Sequence, residues 1–119
     1  MIGCALTVHR ELGNGFLEII YERALEIELA SRGIRLERQV SMPVTYKGKP
    51  IGNFVADMVV ESCMILELKA SNTITSKDEA QLINYLQASK ISVGLLFNFR
   101  HQSLQTKRLV HHYNKDCPI

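Results

Sequence analysis

The sequence has few cysteines, and their spacing argues against both a disulfide framework and a zinc site. The three cysteines, Cys4, Cys63 and Cys117, are an odd number with no CxxC spacing, and no positively charged leader precedes them. Disulfides persist mainly in oxidising compartments, and zinc sites need closely spaced ligands. We therefore expect three reduced thiols in a cytoplasmic protein.

Long apolar runs, linkers and repeats are also missing. Glu67 and Gly94 interrupt the longest apolar stretches before they reach the roughly 18 residues of a membrane helix, so we expect a soluble protein. The chain has 119 residues, of which 46% are hydrophobic, which suits one core and leaves little room for a second. We predict a single domain over residues 1–119, with a short tail after Tyr113.

The excess of charge of one sign is small. Fourteen Lys and Arg against twelve Asp and Glu give a net charge of +2, too little to indicate a nucleic-acid binder through its overall field. Any contact with phosphates must be local. One modest basic stretch, formed by Lys107, Arg108, His111, His112 and Lys115, could contact a phosphate backbone, although a solvated edge strand is the favoured interpretation.

What the sequence does contain is a clear succession of hydrophobic periods. Helical spacing and strand alternation follow one another along the chain. They predict helices at 2–12, 16–31 and 76–90 and strands at 36–46, 51–60, 64–70, 92–99 and 105–110. The strand at 92–99 is nearly all apolar and follows a helix, so we expect it to be central and parallel to its predecessor. The order predicts an α/β fold, a mixed β-sheet flanked by helices.

Ionisable side chains interrupt two of the predicted strands. Asp57 lies in the second strand, and Glu67 and Lys69 lie in the third. Strand residues two apart share a face, so Glu67 and Lys69 project side by side, with Asp57 opposite or diagonal to them if the strands pair. Two carboxylates repel unless a cation lies between them, and Mg²⁺ prefers such ligands. The alternative is an ion-pair cluster with a purely structural role.

These residues resemble the signature of a known superfamily. Asp57, nine intervening residues and Glu67-Leu68-Lys69 are similar to the D…(D/E)xK pattern of PD-(D/E)XK nucleases, and the αβββαβ order is similar to their restriction-endonuclease-like core. Residues 15–21 (GFLEIIY) resemble the motif of the GxxExxY family, and residues 81–85 (QLINY) resemble the QxxxY motif of the RecB-like branch. Ala56 replaces the proline that often precedes the aspartate.

The resemblance implies roles for the acidic residues and the lysine. Asp57, Glu67 and the carbonyl of Leu68 would bind a divalent metal, Mg²⁺ or Mn²⁺, and Lys69 would be the catalytic lysine. Glu18, on the first core helix, would complete the metal shell. Glu22, four residues later on the same helical face, competes for that role, although a solvated helix carboxylate is its favoured interpretation.

The resemblance also implies roles for the other motif residues. Gln81 would assist catalysis and Tyr85 would contact substrate, both beside the site, with an amide and a phenol packed at a helix–sheet boundary as the alternative. Tyr21 is expected to be a packed helix residue with its hydroxyl at the rim.

Two classes of function are consistent with these residues and motifs. The first is a metal-dependent nuclease-like protein that hydrolyses phosphodiester bonds in DNA, with nucleic acid as its partner and a homodimer as a plausible assembly. The alternative is a non-catalytic nucleic-acid-binding or interaction module that retains the nuclease fold.

Overall fold

A computed structural model describes residues 1–111, which form three helices and five strands. In chain order the elements are α1 (Ile2–Leu12), α2 (Glu18–Ser31), β1 (Leu36–Tyr46), β2 (Lys49–Val60), β3 (Met64–Lys69), α3 (Ser76–Ser89), β4 (Val93–Asn98) and β5 (Gln105–Val110). Residues 112–119, which include the predicted tail as well as His112, Lys115 and Cys117, lie outside the described residues.

The strands form one five-stranded sheet in the order β1-β2-β3-β4-β5. β1, β2 and β3 are an antiparallel meander, β4 is parallel to β3, and β5 pairs antiparallel to β4 at the far edge. All of β4 is buried, because a helical crossover covers the sheet around it. The predicted α/β fold with a mixed sheet flanked by helices is confirmed.

Helices cover the two faces of the sheet and bury a separate apolar cluster on each. The first cluster joins α1 and α2 to the sheet through residues such as Leu25, Leu66 and Phe97, and the second joins α3 through Leu82 and Ile65. α3 begins with a capping box in which the Thr75 side chain accepts a hydrogen bond from the backbone N–H of residue 78, as its sequence indicates.

The second helix begins two residues later than predicted. Helical periodicity predicts that the second helix begins at residue 16, but α2 begins at Glu18. The backbone N–H of Phe16 instead donates to the Tyr21 hydroxyl, 3.2 Å away, and Leu17 is extended with ψ of 157°. Tyr21 is fully buried and its hydroxyl donates to the carbonyl of Gly13, 2.6 Å away. Its expected packing role is confirmed, and it holds the loop that precedes the helix.

The inward-pointing side chains of the β1–β2 hairpin change from one face of the sheet to the other partway along its length. Ala56 belongs to the cluster under α3, whereas Met58, two residues on, belongs to the cluster under α2. In the register of the hairpin, Arg38 pairs with Met58 and Val40 pairs with Ala56, so residue 57 lies opposite Gln39. We call this point, where the side chains change from one sheet face to the other, the face switch. Gln39 is left-handed, with φ of 53°, which breaks the simple alternation of a strand.

The structure corrects the expectation for the cysteines. Cys4 is a free, buried thiol, but Cys63 is disulfide-bonded, so the expectation of three reduced thiols is wrong. Within residues 1–111, no helix has the length and apolar character needed to span a membrane.

We expect Gly94→Ala to destabilise the protein. A Cβ at Gly94 would lie 2.8 Å from Cδ2 and 2.9 Å from Cγ of the buried Leu82, so the Leu82 side chain or the backbone of β4 must shift, at a cost of about 1–3 kcal/mol. Urea denaturation measures the change. Gly52→Ala, in β2, is the control because nothing lies within 4 Å of its added Cβ. Equal stabilities of the two variants would contradict the packing described.

Candidate active site

The carboxylates of Asp57 and Glu67 meet where β2 and β3 stop pairing. The backbone pairing of these strands ends with Met58 opposite Leu66. Beyond that point, side-chain carboxylates accept hydrogen bonds from backbone N–H groups. The N–H of Leu68 donates to Oδ2 of Asp57, 2.9 Å away, and the N–H of Asp57 approaches Oε1 of Glu67 at 3.4 Å. The expected meeting of acidic groups from two adjacent strands is therefore present in the structure.

Glu67 has a strongly perturbed acidity. Its side chain is buried, with 8% of the residue exposed. Burial, followed by the charge of Asp57 and a hydrogen bond to it, raises the pKa of Glu67 from 4.5 to about 9. The charge of Lys69 acts in the opposite direction but is the weakest of these influences. A buried acid beside a second carboxylate holds a proton at neutral pH unless a cation replaces it.

Lys69 directs its amine toward the start of α3. Its Nζ lies 3.9 Å from Oδ1 of Asp78, which is longer than a hydrogen bond. A hydrogen bond from the backbone N–H of Thr75 lowers the pKa of Asp78, and Lys69 lowers it further. The sequence pattern identifies Asp78 only as a helix-capping residue, because nothing in the chain order indicates that α3 begins beside the end of β3.

Tyr85 lies beside the carboxylate pair, on the α3 face of the sheet. Burial raises the pKa of its phenol, and the charges of Glu67 and Asp57 raise it further, so the phenol is within electrostatic reach of both. Its ring stacks on Phe54 with centroids 4.0 Å apart. Gln81, one turn earlier on α3, is exposed. Tyr85 therefore lies within electrostatic range of the carboxylate pair, and Gln81 is exposed on the same helix.

Glu18 contacts the backbone just beyond the end of β3. Its Oε1 accepts a hydrogen bond from the N–H of Ala70, 3.2 Å away. Among residues 1–111, however, no three His, Cys, Asp or Glu side chains form a group that could hold a metal ion. The structure therefore brings Asp57 and Glu67 together and places Glu18 at the end of the same strand, without joining all three.

Glu22 is not the solvated carboxylate that its sequence suggests. It is 5% exposed, its Oε1 accepts a hydrogen bond from Nε2 of Gln39 at 2.8 Å, and the same oxygen lies 3.4 Å from Nε of Arg38. The expectation was wrong because α2 packs against β1, which a helical pattern alone does not show. Glu22 instead contacts residues of β1 at the face switch, opposite Asp57.

A buried asparagine supports the loop after β3, although no motif in the sequence includes it. The side-chain Nδ2 of Asn98 donates to the carbonyl of Ser71 at 2.8 Å, and its Oδ1 accepts from the N–H of Ser71 at 3.1 Å. Asn98 is fully buried. Its position in an otherwise apolar strand was the available signal, because a buried amide requires partners.

One lysine and one arginine of the basic stretch lie on the edge strand. Lys107 and Arg108 belong to β5 and are exposed, and Nζ of Lys107 lies 3.5 Å from Oε1 of Glu79. Pairing with an acidic residue reduces the positive field of this edge. The geometry here agrees with a solvated edge strand, the interpretation that the sequence favours.

The donor set at the carboxylate pair suits a hard divalent cation. Asp57 and Glu67 supply two carboxylates, and the proton on Glu67 is held there largely by burial and its neighbour's charge. Mg²⁺ commonly binds one or two carboxylates and keeps several waters. The two side chains therefore supply donors of the type that such an ion binds.

Comparisons with known proteins give a family and a fold. A family model described as the PD-(D/E)XK nuclease superfamily matches residues 1–109. A search of curated proteins finds no match. The crystal structure of SSO0001 is similar, with a TM-score of 0.62 and 18% identity over 82% of this chain and 51% of that one. This likeness shows the fold alone, and the chain spans about half the length of that protein.

We expect Glu67→Gln to stabilise the protein in a metal chelator at pH 8. The folded-state pKa of about 9 exceeds the ordinary 4.5, so the folded state holds the extra proton, and stability falls as pH rises between these values. Glutamine does not ionise, so Glu67→Gln removes the cost of a buried charge. The free energy of unfolding should therefore rise by about 1–3 kcal/mol at pH 8.

Urea denaturation at pH 4, 6 and 8 measures this difference, which should disappear near pH 4. Glu11→Gln, on the exposed side of α1, is the matched control. Parallel pH profiles for the wild type and Glu67→Gln would show that the acidity of Glu67 is not perturbed.

Proposed function

The chain belongs to the PD-(D/E)XK nuclease superfamily, and we propose that it is a metal-dependent nuclease that hydrolyses phosphodiester bonds in DNA. The single observation that carries the proposal is the contact of Asp57 with Glu67 at the end of the β2–β3 ladder. Burying Glu67 beside a second carboxylate is unfavourable for a purely structural role, because burial and the charge of Asp57 disfavour its ionisation. A divalent cation bound between the two carboxylates would offset their repulsion.

Asp57, Glu67 and the carbonyl of Leu68 hold the cation, Mg²⁺ or Mn²⁺, in this proposal. When bound, the cation supplies Lewis-acid polarisation of the scissile phosphate. The two carboxylates and the backbone of β3 fix its position relative to Lys69, because Glu67 and Lys69 lie on one face of the same strand.

Lys69 positions the attacking water. Its Nζ donates a hydrogen bond to that water and, as a cation, favours the negative charge that develops on the phosphate oxygens. The 3.9 Å separation from Asp78 leaves the amine available for this role. Gln81 and Tyr85 flank the substrate from α3.

The narrower assignments are part of the same proposal. Residues 15–21 and 81–85 support membership of the GxxExxY family and the RecB-like branch. Glu18 is proposed to complete the metal shell, since its bond to Ala70 places it at the end of β3. Glu22 is a poor candidate, because two residues of β1 already engage its carboxylate.

Lys69→Ala should reduce DNA cleavage by about 10²–10³-fold, the usual effect of removing a preorganised hydrogen-bond donor. Purified protein with Mg²⁺ and either plasmid or linear DNA, resolved on gels, measures the rate. Lys77→Ala, an exposed lysine in the first turn of α3, is the control and should leave the rate unchanged. An inactive wild type, or cleavage by Lys69→Ala equal to that of the wild type, contradicts the proposal; DNA binding without hydrolysis would favour the non-catalytic module.

Calorimetric titration with Mn²⁺ tests the metal ligands without relying on turnover. Asp57→Asn and Glu67→Gln should abolish binding, and Glu18→Gln should weaken it about tenfold or more, as losses of supporting groups usually do. Glu22→Gln is the matched control, one helical turn away on α2, and should keep the wild-type affinity. Loss of affinity in Glu22→Gln rather than in Glu18→Gln would reverse the assignment of these two residues.

A further inference from the structure

An exposed apolar surface lies next to the candidate active site. Phe16 is 47% exposed and Leu17 is 75% exposed, and both lie in the loop just before α2. They line an open cavity of about 370 Å³ together with Glu18, Ile19, Ala70 and Arg100. Exposed apolar side chains that gather at a cavity rimmed by charged groups are typical of a binding site.

The exposed ring of Phe16 is held in place. The Tyr21 hydroxyl accepts a hydrogen bond from the backbone N–H of Phe16, and the two rings make an edge-to-face contact with centroids 6.2 Å apart and an interplanar angle of 78°. Tyr21 itself stacks on Phe99 with centroids 4.4 Å apart. Phe16 is therefore about half exposed on a support that these contacts hold in place, which lowers the entropy cost of stacking a ligand on it.

The cavity also carries a cation that is fixed beside the end of β3. Nη2 of Arg100 donates to the carbonyl of Ala70, 2.8 Å away, and Ala70 follows Lys69 directly. A guanidinium has five N–H donors, and this bond uses one of them. Arg100 is exposed, so its remaining donors are accessible to a phosphate.

We propose that this cavity, which we call the Phe16 cavity, binds one unpaired nucleotide next to the scissile phosphate. Its base stacks on Phe16 and Leu17, and its phosphate contacts Arg100. The inference rests on the proposed function and deepens it, since it assigns a preference for single-stranded ends or gaps. An aromatic face with an adjacent cation is the usual arrangement for single-stranded nucleic acid, and the cavity volume lies within the range of small-ligand sites.

Anisotropy of a fluorescein-labelled DNA measures the preference, with Ca²⁺ replacing Mg²⁺. The probes are a blunt duplex and the same duplex with a single-stranded overhang that contains 2-aminopurine. We expect the wild type to prefer the overhang and to quench 2-aminopurine. Phe16→Ala should weaken binding of the overhang about fivefold or more, the effect of losing one stacked base, and leave binding of the blunt duplex unchanged.

Further variants separate stacking from charge. Phe16→Tyr should retain the preference, and Leu17→Ala should weaken it without the loss of the Tyr21 contacts that Phe16→Ala could disturb. Arg100→Ala should weaken binding of both probes and reduce the slope of affinity against salt by about one. Ile27→Ala, on α2, 70% exposed and outside the cavity, is the control and should change neither.

The outcomes distinguish this inference from the proposed function. Overhang binding that is equal in the wild type, Phe16→Ala and Leu17→Ala overturns the Phe16 cavity even if cleavage is normal. Phe16-dependent binding without any cleavage supports the cavity and overturns hydrolysis. Sedimentation supplies a third outcome: a wild-type dimer that becomes monomeric in Phe16→Ala would assign this surface to a second copy of the chain and overturn nucleotide binding.

Discussion

Two carboxylates, those of Asp57 and Glu67, touch in a largely buried place, and the geometry of the site follows from this contact. Each accepts a backbone hydrogen bond where the β2–β3 ladder ends. The side chains thereby satisfy N–H groups that separating strands would leave without partners. The same arrangement forces two acids together and raises the pKa of Glu67. Fold stability and cation binding therefore compete for the same oxygens.

Elements on both faces of the sheet converge on this point. On one face, α2 provides Glu22, which engages two residues of β1 at the hairpin's face switch. On the other, α3 provides Asp78 near Lys69 and Tyr85 near the carboxylates. Because the hairpin changes faces beside Asp57, a displacement of either helix would move this aspartate relative to β3. This packing explains why polar residues outside the signature are buried here.

The segment at residues 15–21 links the fold to the site in a similar way. Tyr21 fixes the loop before α2 through the carbonyl of Gly13 and the N–H of Phe16. Glu18, one turn earlier than Tyr21, accepts a hydrogen bond from the backbone of Ala70. The first turn of α2 therefore contacts both the loop that carries Phe16 and the backbone just after β3. In this way it connects the loop to the strand that carries Lys69.

Much of this arrangement could be predicted from the sequence. Periodicity predicted the strands at 36–46 and 105–110 at their observed bounds, since alternation depends only on neighbouring residues. The spacing of Asp57 and Glu67 on paired strands predicted their meeting, because a short turn leaves little freedom of register. The start of α2 and the burial of Glu22 could not be predicted, because both depend on contacts with residues distant in the chain.

Local patterns and residue types were enough to establish the order of helices and strands, the superfamily resemblance and the identity of the acidic pair. Three other features depend on the packing of distant elements: Asp78 lies near Lys69, Glu22 accepts a hydrogen bond from Gln39, and Phe16 is exposed. The physical reason is that burial and electrostatic environment depend on distance in space, which has no fixed relation to separation along the chain.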